Sequence, residues 1–325
     1  MPFIRQIAFF WNLGAQSGVI WVSMMTVDTE VFDPRDLAQV ERLELMASRV
    51  VDGLLAGRHR SELKGGSAEF TEHRGYVPGD EIRLIDWKVY GKSDRYYIKQ
   101  YIEQTCLQVI VALDASGSMG FGFKGPSKFQ YARAVAACLM RLVLRQSDSA
   151  GLAVLGRSVG KYIPPRANPN HFQAILQALR SAKSGGETAL AESLTDLARR
   201  IRRRGLVVLL SDCFDDLNSL KQALKFLRRR GHEIILFHIM AAEELTFDFG
   251  GWSRFECLEV DGRCIDLDPA VIRSDYLENV RKFLGDLKHL CGETGCDYQP
   301  LPTDKPLGVA LAHYLKRRMA RLKQT

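Results

Sequence analysis

Residues 106–114 read CLQVIVALD, a continuous apolar run that closes on an aspartate. A strand with no polar face has to be covered on both sides, as the central strand of a parallel sheet wrapped by helices is. The residues that follow, Asp114-Ala115-Ser116-Gly117-Ser118, place three oxygen-bearing side chains at alternate positions directly after that strand.

The chain downstream alternates between the two periods. Strands are expected at 151–155 (GLAVL), 159–163, 205–210 (GLVVLL), 232–239 (HEIILFHI), near 256–260 and near 297–301. Helical spacing is expected over 128–145, 169–182, 189–204, 217–230, 276–290 and 307–321. Strands alternating with helices predict a doubly wound, mostly parallel α/β sheet flanked by helices, spanning 105–301 and followed by a C-terminal helix in 302–325. Such sheets bind ligands beyond the carboxyl ends of their strands. Upstream, Leu37, Val40, Leu43, Met46, Val50 and Leu54 have helical spacing, and Gly57 is a plausible stop. A charged, Gly-rich stretch then runs over 58–94, too long for an inert linker. An N-terminal helical and irregular subdomain is therefore expected over 35–104.

With 325 residues and 46% hydrophobic composition, the chain can bury a real core. Its formal charge is +7, and the excess sits in short runs: Arg199, Arg200 and Arg202 to Arg204; Arg228 to Arg230; and Lys316, Arg317, Arg318, Arg321 and Lys323. Each run falls at the end of an expected helix, where cations complement the helix dipole. No aromatic–basic interleaving, zinc finger or helix-turn-helix pattern accompanies them, so no nucleic-acid partner is expected. The seven cysteines include no C-x-x-C pair, which fits a reducing cytoplasm. Cys106, Cys138 and Cys213 read as buried small hydrophobes, and Cys291 and Cys296, flanking Gly-Glu-Thr-Gly, lack the second pair that a metal site needs.

Residues 6–27 carry no charge and include Phe9, Phe10, Trp11, Ile20, Trp21 and Val22. Three readings of this segment stand side by side: a membrane span, a peripheral or anchoring segment that brings the chain to a membrane, and an upstream extension ahead of a start at Met24 or Met25. The length suits a span. Gln6, Asn12, Gly14, Gln16, Ser17, Gly18 and Ser23 interrupt it. Residues 1–34 are accordingly left as a separate segment.

Three expected strand ends carry oxygen. Besides Asp114, Ser116 and Ser118, the strand GLVVLL ends in Ser211-Asp212, and Ser184-Gly185-Gly186-Glu187-Thr188 opens a helix. Asp114 and Asp212 supply charge, and Ser116, Ser118 and Thr188 supply neutral hydroxyls. Oxygen-only donors suit a hard divalent cation, Mg2+ foremost, with Mn2+ or Ca2+ as alternatives. So few carboxylates leave the ion electrophilic, and an acidic group from a partner protein can complete its shell. An Asp-x-Ser-x-Ser by itself is also an ordinary helix cap; its place after a buried strand argues for more. Other chemistries lack a part. A haloacid dehalogenase-type phosphotransferase needs a second Asp where Ser116 stands. A nucleophile elbow needs Gly two residues before its serine. No P-loop is present. His238, inside an apolar strand, reads as a core histidine.

The set Asp114, Ser116, Ser118, Thr188 and Asp212 resembles the metal-ion-dependent adhesion site of von Willebrand factor A domains. Upstream, Glu69-Phe70, Arg74-Gly75-Tyr76, Pro78-Gly79-Asp80, Arg83 and Ile85-Asp86-Trp87-Lys88 resemble the signature of the bacterial domain-of-unknown-function family 58. One departure is Tyr90-Gly91-Lys92-Ser93, where members show Ala-Arg-Thr or similar. The resemblance implies a von Willebrand factor A-like fold and a bacterial protein that is cytoplasmic, with membrane association as a variant. It also implies an adaptor or co-chaperone role beside a MoxR-type AAA+ ATPase. Glu69, Arg74, Tyr76, Asp80, Arg83, Asp86, Trp87 and Lys88 then form either a partner-binding surface or a local network that pins the subdomain by hydrogen bonding at turns. The expected function is metal-dependent protein binding without catalysis. The alternative is a magnesium-dependent hydrolase of phosphoesters or nucleic acid.

Overall fold

The computed structural model describes residues 69–77, 85–102, 107–123, 125–168, 170–186, 189–249, 252–256, 258, 264–310 and 312–314. They fall into two compact units that divide between Leu107 and Gln108. The expected helix over 35–57, residues 6–27, Asp80, Arg83 and Thr188 lie outside the described residues.

In the first unit, β1 (Glu69–Gly75) and β2 (Tyr97–Ile102) form an antiparallel pair, and α1 (Trp87–Ser93) lies between them in sequence. The stretch expected to be irregular thus contains regular structure. Its strands, EFTEHRG and YIKQYI, show no alternation of polar and apolar residues and so do not stand out from a charged background. Asp86 caps α1: its Oδ1 accepts from the backbone N–H of Lys88 at 3.0 Å and of Val89 at 3.4 Å. The aspartate of the Asp-Trp-Lys signature therefore serves local hydrogen bonding. Tyr90, in the departing segment, stacks on Tyr96 at 4.5 Å between ring centroids.

The second unit holds β3 (Gln108–Asp114), α2 (Lys128–Arg145), β4 (Ser149–Leu155), β5 (Val159–Arg166), α3 (His171–Ser181), α4 (Leu190–Arg200), β6 (Leu206–Ser211), α5 (Leu217–Arg229), β7 (Glu233–Met240), α6 (Ala242–Thr246), β8 (Ser253–Glu256), β9 (Cys264–Leu267), α7 (Pro269–Thr294) and β10 (Asp297–Pro302). The main sheet runs β10-β7-β6-β3-β4-β5. All its pairings are parallel except β4 with β5. The antiparallel edge was not anticipated. Its physical cause is legible in hindsight: the turn at 156–158 is too short for a crossover, and Pro164 and Pro165 cannot donate to a second neighbour.

Alternate strand residues face opposite layers. Ile110, Ala112, Val207, Leu209, Ile234 and Leu236 pack with Leu194, Leu197, Leu220, Leu224 and Leu287 of α4, α5 and α7. The opposite face is covered by α2, whose Val135, Leu139, Leu142 and Val143 are buried. Helix starts follow their caps. Ser127 and Gln130 form a reciprocal capping box on α2, Asp216 caps α5, and Asp268 with Pro269 opens α7. That Asp-Pro start places the beginning of α7 ahead of the expected 276. Its end at Gly295, φ +65°, makes Gly292 to Thr294 the last helical turn where a loop between two cysteines was expected. α4 stops at Arg200, so Arg202 to Arg204 lie beyond it, whereas Arg228 and Arg229 do occupy the last turn of α5. The strand expected near 256–260 is β8, which pairs with an unanticipated β9.

Chain winding reverses at β3. From β3 the chain moves to β4 and β5 on one side, then crosses back to β6, β7 and β10 on the other. The crevice beyond the carboxyl ends of β3 and β6 is therefore the topological switch point. Asp114 ends β3, and Ser211 ends β6.

Candidate metal centre

Asp114 is 2% exposed, and both of its carboxylate oxygens are held. Oδ1 accepts from the backbone N–H of Ser116 at 2.9 Å, and Oδ2 accepts from the hydroxyl of Ser211 at 2.5 Å. Ser211 Oγ in turn accepts from the backbone N–H of Cys213 at 2.8 Å. Burial, reinforced by repulsion from Asp212, pushes the Asp114 carboxyl up to about 6; the bonds from Ser211 and Ser116 oppose that rise. The hydroxyls of Ser116 and Ser118 lie 3.1 Å apart and are buried.

The structure thus gathers Asp114, Ser116, Ser118 and Asp212 at one tip of the sheet. The loop leading to Thr188 arrives at the same place: Gly185 N–H donates to Ala115 O at 3.0 Å, and Gly117 N–H donates to Gly186 O at 3.1 Å. Gly186 holds φ +78°, in the left-handed region that suits a residue without Cβ.

The donor chemistry fits a small divalent cation. An octahedral ion with ligands at 2.0–2.1 Å sets neighbouring ligand oxygens about 3 Å apart, close to the Ser116–Ser118 spacing. Asp114, Ser116, Ser118 and Asp212 are the described residues that would hold it. Among the described residues no cluster of three or more His, Cys, Asp or Glu side chains forms a second centre, and Cys291 and Cys296 are free thiols.

Sequence reasoning missed three participants. Lys128, 0% exposed at the start of α2, sets its ammonium 2.7 Å from Asp212 Oδ2 and 2.7 Å from Glu244 Oε1. Burial opposes the lysine charge, yet the two carboxylates outweigh it and hold the amine above the usual lysine range. Glu244 Oε2 accepts from the backbone N–H of Ala241 at 2.8 Å, and burial raises its carboxyl against the pull of Lys128. Ser211 is the third. Its place beside Asp212 was visible in sequence, but its aim at Asp114 needed the β3–β6 pairing.

His238 is a core histidine. Its Nε2 lies 3.0 Å from Asp212 O and its Nδ1 3.0 Å from the Tyr298 hydroxyl. A carbonyl only accepts, so Nε2 carries the proton and Nδ1 receives the phenol. Burial lowers the ring to about 4, which keeps it neutral.

Ser211→Ala removes a charge-assisted bond and leaves the Cys213 N–H without its acceptor. The variant is expected to lose about 2–3 kcal/mol of stability in chelator. Urea denaturation checks this, and a loss under about 0.5 kcal/mol would show the hydroxyl to be dispensable.

The doubly wound, mostly parallel sheet flanked by helices, with one antiparallel edge, has a von Willebrand factor A-like fold, and the Asp-x-Ser-x-Ser loop lies at its switch point. Residues 72–283 match the family described as "Protein of unknown function DUF58", and the chain belongs to that family. It is 26% identical over 280 residues to the uncharacterized protein Rv1480 of Mycobacterium tuberculosis, covering 85% of this chain and 87% of that one. Among solved structures it resembles BatB, a conserved hypothetical protein from Bacteroides thetaiotaomicron, with TM-score 0.43, 16% identity, and coverage of 67% of this chain and 100% of that one. It also resembles the SpRpn10 VWA domain, with TM-score 0.36, 13% identity, and coverage of 63% and 94%.

Proposed function

We propose that this chain is a divalent-cation-dependent protein-interaction module, an adaptor or co-chaperone whose partner is a MoxR-type AAA+ ATPase. The observation that carries the reading is the all-oxygen donor set at the switch point, with two buried serine hydroxyls 3.1 Å apart beside Asp114. A set of neutral hydroxyls with only two carboxylates suits Mg2+ or Mn2+, which keep several waters, with Ca2+ as the alternative. When bound, the ion supplies the positive charge that receives a carboxylate from the partner. The chain's own part is orientation: Ser211 and the Ser116 N–H aim Asp114, and the glycines at 185 and 186 lace the neighbouring loop to it.

Binding without catalysis is supported by where the site's proton carriers point. His238 has both ring nitrogens committed, and Lys128 is locked between two carboxylates. Neither is held as a base toward the crevice. The partner itself is proposed from family resemblance, as is a cytoplasmic location with membrane contact through residues 6–27. Among the described residues no helix is long and apolar enough to cross a membrane, and 6–27 lies outside them.

The test is capture of a purified MoxR-type ATPase by the full chain in millimolar Mg2+ and in EDTA. Capture that is lost in EDTA and restored by Mg2+ is the expected result. Capture that persists in chelator sinks the reading, and turnover of phosphoester substrates would favour the hydrolase instead.

A further inference from the structure

We infer that Lys128 is a built-in rival for the cation at this site, its ammonium occupying the Asp212 carboxylate and opposing cation capture there. The inference rests on the cation-dependent reading above and deepens it. Three observations carry it.

First, Lys128 is built into place. It follows the Ser127 capping box, its backbone N–H donates to Phe121 O at 2.8 Å, and its Nζ lies 4.7 Å from the Phe214 ring centroid. Second, it sits on Asp212, the second carboxylate of the donor set, at 2.7 Å. A cation bound 2.0–2.1 Å from the same carboxylate oxygen would stand within about 5 Å of the ammonium, where like charges in a buried site repel strongly. Third, Asp114, Asp212 and Glu244 against Lys128 leave two net negative charges, so the lysine already offsets one of the three charges that would draw a divalent ion to this place.

Changing the charge count should shift cation affinity in opposite directions. Lys128→Met leaves three net negative charges and a free Asp212 carboxylate, which draw a divalent ion more strongly. Glu244→Gln leaves one, and frees the ammonium to hold Asp212 alone. The experiment measures Mn2+ affinity of the full chain by the electron paramagnetic resonance signal of free Mn2+. Lys128→Met is expected to bind Mn2+ about tenfold tighter than wild type. Glu244→Gln is expected to bind about tenfold more weakly. If Lys128→Met fails to fold, the Lys128→Met/Glu244→Gln double variant restores the wild-type charge count and should bind within about threefold of wild type, whereas a structural prop would leave it damaged.

Shifts in the same direction, or none, overturn the inference while wild-type Mn2+ binding keeps the cation-dependent reading. Binding by Lys128→Met alone, with wild type silent, keeps the inference and sinks that reading for the native chain. Silence from every variant up to millimolar Mn2+ overturns both.

Discussion

Asp114→Asn is expected to make the protein more stable in chelator at neutral pH and to deprive it of its response to Mg2+. The folded-state carboxyl is raised from 3.8 to about 6, by burial first and by Asp212 second. A raised folded value means that the native state holds the proton more tightly than the unfolded chain does. Below about pH 4 the acid is protonated in both states and there is no penalty. As pH rises through about 6, the native carboxylate must ionise in a buried place beside a second carboxylate. At 1.36 kcal/mol per tenfold, the resulting cost at neutral pH is on the order of 2–3 kcal/mol. Asparagine keeps an oxygen for the Ser116 N–H, turns the Ser211 contact round so that its amide N–H donates to Ser211 Oγ, and cannot ionise, so that cost disappears. What it gives up is the charged ligand, and cation affinity should fall about 100-fold or more. In wild type, Mg2+ affinity should weaken as pH drops below about 6, roughly tenfold per pH unit, because the ion has to displace the Asp114 proton. Urea denaturation in EDTA and in Mg2+, at several pH values, checks all three. A variant less stable than wild type in EDTA at neutral pH would reject the account of strain at Asp114.

Gly205→Ala should cost about 3 kcal/mol or more, far beyond an ordinary surface substitution. Gly205 is buried where β6 begins, and an added Cβ would drive into the backbone oxygen of Gln108 at the start of β3. The obstruction is main chain and cannot rotate away. Relief requires separating β3 from β6, the two strands whose far ends carry Asp114 and Ser211. Gly156→Ala supplies the control. Nothing stands within 4 Å of its added Cβ and its φ needs no glycine, so it should stay within about 0.5 kcal/mol of wild type. Equal denaturation midpoints for the two variants would refute the steric argument. A weakened cation response in Gly205→Ala, beyond its stability loss, would mark the strand pairing as part of the site's alignment.

Which parts of this protein could be read from residues alone follows from the range of the forces involved. Apolar runs, caps and strand-end aspartates are local, and they were legible: residues 108–114 of the first run and 206–210 of the second lie in buried strands, and Asp114 and Ser211-Asp212 stand at their ends. His238 reads correctly as core because its neighbours from Ile234 to Met240 are apolar and buried. The hairpin of β1 and β2 escaped notice because seven and six residues of mixed polarity carry little periodic signal. Boundaries shifted where a cap overrode propensity, as Asp268-Pro269 did for α7.

Residue order alone determined a helix-wrapped sheet and the oxygen-rich character of one of its ends, since periodicity and side-chain chemistry act over a few neighbours. Only the tertiary structure decided that Lys128 would lie on Asp212, 84 positions away, and on Glu244, 116 positions away. It also decided that Ser211 would reach across 97 positions to Asp114. Those pairings depend on which strands become neighbours when the winding reverses at β3. A buried charge must find its counter-charge wherever the completed sheet presents one.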